Sequence, residues 1–293
     1  MMKNFIFKIS LFFILLSILF LSFFLILSII DNFKGFSKNS DVVVLGDSHA
    51  VFSINEKDSL FSDINLLNNG FQAESLFWTI KRARKLLRKK RISLLVITYS
   101  DHNLFNDKWT YVGDNIGKNR YLTYYLSLKD WYYLFRRNSK ETAKLFFSLP
   151  MPSFKVSANS QINYNNILSK DLKTNGSRVN SHYQKIKNIY KSENFIQLIN
   201  FCRENPDQKI LILRTPLNSH YFKLLNNKVY DEMYLESILE LQKLNNVHFI
   251  DFSDSIKDDA NFSDLDHLNA NGSKIFTKLV YDSLVRNKFI PIK

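Results

Sequence analysis

Asp-Val-Val-Val-Leu-Gly-Asp-Ser-His-Ala, residues 41–50, decides the fold. Val42, Val43, Val44 and Leu45 form a short, mostly β-branched apolar run, the pattern of a strand buried on both faces of a parallel sheet. Gly46 ends the run at the residue type that most easily takes the dihedrals of a sharp turn. Asp47, Ser48 and His49 follow at the carboxyl end of that strand, where open α/β sheets place their ligands. A serine held there can act as a nucleophile if a base reaches it.

The remaining chain alternates in the same way. Strands are expected at 64–67, 93–98, 209–213 and 247–251, and helices at 74–91, 195–203, 230–244 and 271–285. Leu76, Ile80, Ala83 and Leu87 give the first of these helices one apolar face. Strands alternating with helices specify an α/β fold: a three-layer α/β/α, flavodoxin-like parallel sheet of about five strands. Residues 104–194 interrupt the alternation as an insertion. It holds an aromatic, helical stretch at 121–147 and an Asn/Ser/Lys-rich segment at 157–181 that reads as an exposed loop or partly ordered segment, and the insertion as a whole is a candidate lid or acceptor-binding surface.

Near the other end stands Asp264-Leu265-Asp266-His267, followed by Leu268, Asn269 and Gly272. An acid three residues before a histidine can fix its tautomer and stabilise its imidazolium, which makes Asp264 and His267 an orienting acid and a general base for Ser48. If that segment is a helical turn, Asp266 points away from His267 and has a minor binding or capping role.

Gly-Asp-Ser early and Asp-x-x-His late, in this order and context, resemble the SGNH (GDSL-like) hydrolases. The resemblance implies a Ser48–His267–Asp264 triad and an acyl-enzyme. It also implies an oxyanion hole made by the amides of Ser48 and Gly70 and by an asparagine side chain after the third strand. Gly70 follows the second strand, and Asn103 is the best asparagine, although His102 stands where the family pattern differs. His49 and His102 lie near the presumed site edge, where either can meet substrate; His182, His220 and His248 have no constellation around them.

Two other readings stay open. Asp47, His49, Asp101, His102, Asp264 and His267 are enough ligands for a metal. Gly-Asp-x-His also occurs in metallophosphoesterases, but the Gly-Asn-His and Gly-His-x-His motifs of that family are missing. A third reading is a scaffold that kept the fold without activity, against which the intact Ser48, Asp264 and His267 argue. The expectation is no metal and no cofactor.

Ahead of this domain, residues 9–30 are uncharged and rich in Phe, Leu and Ile, long enough to cross a hydrocarbon core as a helix. They lack the short apolar core and small-residue cleavage site of a secretory signal, which suggests an uncleaved anchor. The expected organisation is a cytoplasmic tail at 1–8, an anchor at 9–30, a linker at 31–40 and an extracytoplasmic hydrolase domain at 41–293. Anchored relatives often add or remove O-acetyl groups on cell-envelope polysaccharides. The resemblance therefore implies an esterase or O-acyltransferase on such a glycan; a transferase would draw on a multi-pass membrane acyl donor.

The formal charge of +13 accompanies abundant Lys, Asn, Ile, Phe and Tyr, a bias that needs no anionic partner. A cluster from Lys81 to Arg91 is expected as a solvated helix face, with attraction to an anionic surface as the alternative. No nucleic-acid motif is present. The single Cys202 excludes an internal disulfide.

Overall fold

The computed structural model describes residues 7–19, 22, 40–72, 74–89, 91–105, 125–137, 139–147, 179, 192–225 and 228–290. The chain divides into two units, residues 1–39 with 150–154, and residues 40–149 with 155–293. In the first unit, residues 7–19 are helical and their apolar side chains are exposed. At 1.5 Å per residue that helix is about 20 Å long. Among the described residues, no helix is long and apolar enough to cross a membrane. Most of 20–30, the remainder of the expected anchor, lies outside the described residues, as do most of the 104–194 insertion and its 157–181 segment.

The second unit is the α/β domain. In chain order it comprises β1 (Val42–Leu45), α1 (Ser48–Ser53), β2 (Leu66–Asn68), α2 (Leu76–Lys89), β3 (Leu94–Tyr99) and α3 (Asp101–Phe105). There follow α4 (Leu128–Arg137), α5 (Ser139–Phe147), α6 (Glu193–Glu204), β4 (Ile210–Arg214), α7 (Ser219–Leu225), α8 (Lys228–Gln242), β5 (Val247–Asp251) and α9 (Ala270–Arg286). The five strands are all parallel and stand in the order β2-β1-β3-β4-β5. This order puts the switch of direction between β1 and β3, where a crevice opens at the strands' carboxyl ends.

Side-chain alternation along the strands sorts the core into two layers. Val42, Val44, Leu94, Val96, Leu211 and Leu213 pack with Ala50 of α1, with Ile54 just after it, and with Phe276, Val280 and Leu284 of α9. On the other face, Ile97 and Ile212 line one small cavity together with Leu76 of α2 and Leu198 of α6. β1 and β3 are buried at every position, which is why they read as continuous or nearly continuous apolar runs.

Three sequence expectations shift. The second strand runs 66–68 rather than 64–67, because Ile64 N–H is drawn into a turn on the Phe61 carbonyl (3.0 Å). The aromatic stretch at 121–147 resolves into two helices, α4 and α5. On α2, Arg82 is no solvated cation: it is 2% exposed and its guanidinium donates to Glu74 (2.6 Å) and to the Asn69 carbonyl. Arg84 is paired with Glu204 and Lys81 with Asp130, so at least three cations of the cluster are paired within the fold.

Candidate active site

Gly46 turns the chain at the end of β1 with a φ of 147°, and a Cβ there would overlap the Thr98 hydroxyl on the neighbouring strand. Asp47 then caps α1, its Oδ1 accepting from the His49 amide (2.9 Å). Ser48 becomes the first residue of the helix, half-buried at the sheet edge.

The second contribution comes from the segment ahead of α9. Asn269 caps that helix, accepting from the amides of Asn271 (3.0 Å) and Gly272 (3.1 Å). The preceding residues form a bend rather than a helical turn, closed by the Ser263 amide on the His267 carbonyl (2.9 Å) and an isolated bridge between Phe262 and Leu268. Gly272 allows this bend to approach, since a Cβ there would overlap the Asn261 carbonyl oxygen. Within the bend, Asp264 Oδ1 accepts from the amides of Asp266 (3.0 Å) and His267 (2.8 Å).

These two segments bring three predicted residues together. His267 Nδ1 lies 3.0 and 2.8 Å from the two Asp264 oxygens, and Nε2 lies 2.7 Å from Ser48 Oγ. An ionised carboxylate can only accept, so Nδ1 carries the proton and Nε2 is left as acceptor for the serine hydroxyl. The histidine is held tightly (9% exposed side chain), whereas Asp264 is one-quarter exposed. The Phe52 ring, 5.1 Å from that of His267, covers it on the α1 side.

Asp266 departs from expectation. The bend turns its carboxylate inward, buried, with Oδ1 3.5 Å from His267 Nδ1 and Oδ2 3.6 Å from His49 Nε2. The helical-turn premise placed it away; the non-helical bend reverses that.

Asp47 is the other residue whose role the motif alone did not reveal. Its Oδ1 also accepts from His49 Nδ1 (2.9 Å), and Oδ2 accepts from Ser100 Oγ (2.7 Å) and Asn103 Nδ2 (2.5 Å), with His102 Nε2 at 3.6 Å. Burial alone would raise its carboxyl, but His49, then His102 and the Ser100 hydroxyl, hold it well below the ordinary carboxylate range. A buried, capped aspartate just before the nucleophile is the signal that could have marked it.

The expected oxyanion donors divide. The Ser48 amide, first in its helix, has no intrahelical acceptor. The Gly70 amide donates to Asn68 Oδ1 (3.1 Å), while a Cβ on Gly70 would press on Ala50 and the Val51 amide at the start of α1. Asn103 directs its amide group inward, to Asp47 and to the Glu74 carbonyl (3.1 Å). The structure thus places Asn103 behind the nucleophile turn. Glu74 itself is fully buried, and burial drives its carboxyl up to about 8 against the opposing Arg82 guanidinium.

Asp47, His49 and His102, and likewise His49, Asp266 and His267, bring ligand-type atoms within 4.8 Å of one another. In the first set both Asp47 oxygens already accept protein donors, which a cation would have to displace. The Asp101 side chain lies outside the described residues. His220 pairs with Asp259 (3.2 Å) and His248 meets Phe289 edge to face, both away from these clusters. Cys202 is buried, which pushes its thiol up to about 12.

A family model that carries no descriptive name matches residues 161–290, less than half of the 293-residue chain. No curated protein matches. Among solved structures, a Streptococcus pneumonia protein provisionally described as a platelet activating factor is 13% identical, with 92% of this chain and 99% of that one covered and a TM-score of 0.43. A provisionally assigned acylhydrolase from Bacteroides fragilis NCTC 9343 is 10% identical, with coverages of 88% and 91% and the same score of 0.43. A gut microbial diltiazem-metabolizing enzyme is 13% identical over 85% of this chain and 48% of its own, again at 0.43. Likenesses this weak bear no weight in assigning chemistry to the site.

Proposed function

We propose that this chain is a serine-dependent acyl-ester enzyme, an esterase or O-acyltransferase working through an acyl-enzyme on Ser48. One observation carries the reading: Ser48, His267 and Asp264, brought from opposite ends of the domain, join in an unbroken hydrogen-bonded line of 2.7 and 2.8 Å. In that line the Ser48 proton passes to His267 Nε2 as Oγ attacks the ester carbonyl, and Asp264 stabilises the imidazolium that results. The Ser48 amide supports the developing oxyanion. The imidazolium then gives its proton to the leaving alcohol. In the second half, water or an acceptor hydroxyl loses a proton to His267 while attacking the acyl-serine, and Ser48 is restored.

The membrane and glycan parts of the reading rest on sequence. The uncharged stretch at 9–30 and the exposed apolar side chains of residues 7–19 support a single-pass anchor, with the amino terminus inside and the α/β domain outside. The SGNH-like motifs support O-acetyl chemistry on a cell-envelope polysaccharide, with a multi-pass acyl donor as partner if the direction is transfer.

The test is fluorophosphonate labelling of the full-length chain in detergent beside its Ser48→Ala and His267→Ala variants. Labelling that both substitutions abolish is expected, followed by turnover of acetylated sugars. EDTA-sensitive phosphate release without labelling would overturn the proposal. Release of the chain from membranes by alkaline extraction would overturn the anchor alone.

A further inference from the structure

The triad leaves a buried acid–base array beside it unexplained. His49 follows the nucleophile directly and is 3% exposed, its ring lying 5.0 Å from that of His267 at 34°. Its Nδ1 meets Asp47 Oδ1 at 2.9 Å, and its Nε2 faces Asp266 Oδ2 at 3.6 Å. The other Asp266 oxygen is 3.5 Å from His267 Nδ1. His267 therefore faces two carboxylates where the mechanism needs one.

The second carboxylate matters because it is dry. The Asp266 side chain is 1% exposed, so water does not screen its charge. An uncompensated anion there would favour His267 as imidazolium, the form that cannot take the serine proton. His49 is placed to supply the compensating cation. The His49 ring has one carboxylate in hydrogen-bond contact at Nδ1 (2.9 Å) and a second within ion-pair distance of Nε2 (3.6 Å), surroundings that favour the doubly protonated, cationic ring.

We propose that His49 is a positioning residue: as an imidazolium between Asp47 and Asp266 it cancels the Asp266 charge, leaving His267 oriented by Asp264 and competent as a base. This rests on the reading of Ser48 and His267 given above. Among the described residues, the charged or titratable groups facing His49 include Asp47 ahead of its own helix, His102 on α3 (ring centroids 5.6 Å apart) and Asp266 and His267 from the bend. Those facing His267 include Ser48, His49, Asp264 and Asp266.

Two measurements on the full-length chain in detergent decide it. In the first, nitrogen-15 NMR with the six histidines labelled should show both His49 ring nitrogens protonated at neutral pH. A single-tautomer pattern for His49 would overturn the proposal without any reference to activity. In the second, the fluorophosphonate labelling rate is followed against pH. H49Q should move the acid limb of that profile upward by roughly 1–3 pH units, the effect of one uncompensated charge at this range. D266N should move it downward, and H49Q/D266N, which removes both charges, should bring it back close to the wild-type limb. An H49Q variant that labels more slowly at every pH with an unmoved limb would reduce His49 to a packing residue and overturn the proposal. A wild-type chain that never labels would instead sink the acyl-enzyme reading, and the positioning role with it.

Discussion

The Asn103 side-chain amide donates to Asp47 Oδ2 at 2.5 Å and to the Glu74 carbonyl at 3.1 Å, which ties the turn after β3 to the turn after β1. Asn103 thereby braces the nucleophile from behind. Asn103→Asp would set a second carboxylate against the buried Asp47 and should destabilise the fold more than Asn103→Ala. The expected losses are roughly 3–5 and 1–3 kcal/mol, the costs of an unpaired buried charge and of an orphaned buried polar group. Denaturant titration of both variants checks the order. The reverse order would contradict the bracing role, whereas a large loss of turnover in Asn103→Ala with stability intact would restore Asn103 to the oxyanion hole.

Asp264→Asn keeps the shape of the acid but lets its amide donate toward His267 Nδ1, favouring the wrong tautomer. Labelling should fall by roughly 10³–10⁴-fold with little change in melting temperature. A drop of less than tenfold would show that Asp264 does not orient the base.

Asp47 gives a signed pH dependence. Its folded carboxyl lies below the unfolded value of 3.8, so the stability it contributes is complete above that pH and is lost as pH falls below it toward the folded value. Asp47→Asn should therefore flatten the decline of unfolding free energy below about pH 4. A variant curve parallel to the wild type between pH 3 and pH 6 would contradict this.

Gly46→Ala asks for both an unfavourable backbone angle and the space of the Thr98 hydroxyl. A loss of roughly 2–4 kcal/mol is expected. The paired change with Thr98→Ala should recover part of it, because only the overlap is relieved. Thermal unfolding of the single and double variants measures the difference.

Much of this architecture could be read directly from residue order. The apolar runs at 42–45 and 94–99 are buried at every position, so no face preference blurs them, and β5 begins and ends at the expected Val247 and Asp251. The meeting of Ser48 with His267 followed from two motifs at strand and helix ends. What stayed hidden depended on local geometry that spacing does not encode. Asp266 turns inward because residues 263–267 bend around the Asp264 carboxylate instead of forming a helical turn. Arg82 sits within a basic cluster but is buried by a partner eight residues earlier, Glu74, which no charge count singles out.

The contact between Ser48 and His267 spans 219 residues of chain. Closing a loop of that length costs about 5 kcal/mol in chain entropy before any contact is formed. The nucleophile is thus made early and its base late. A growing polypeptide carries an unactivated serine until the β5–α9 segment has emerged and docked against α1, so reactivity arrives only with completion of the domain. A chain cut short before Asp264 would display the nucleophile turn yet have no reactive serine, and a fluorophosphonate tag would then count finished molecules.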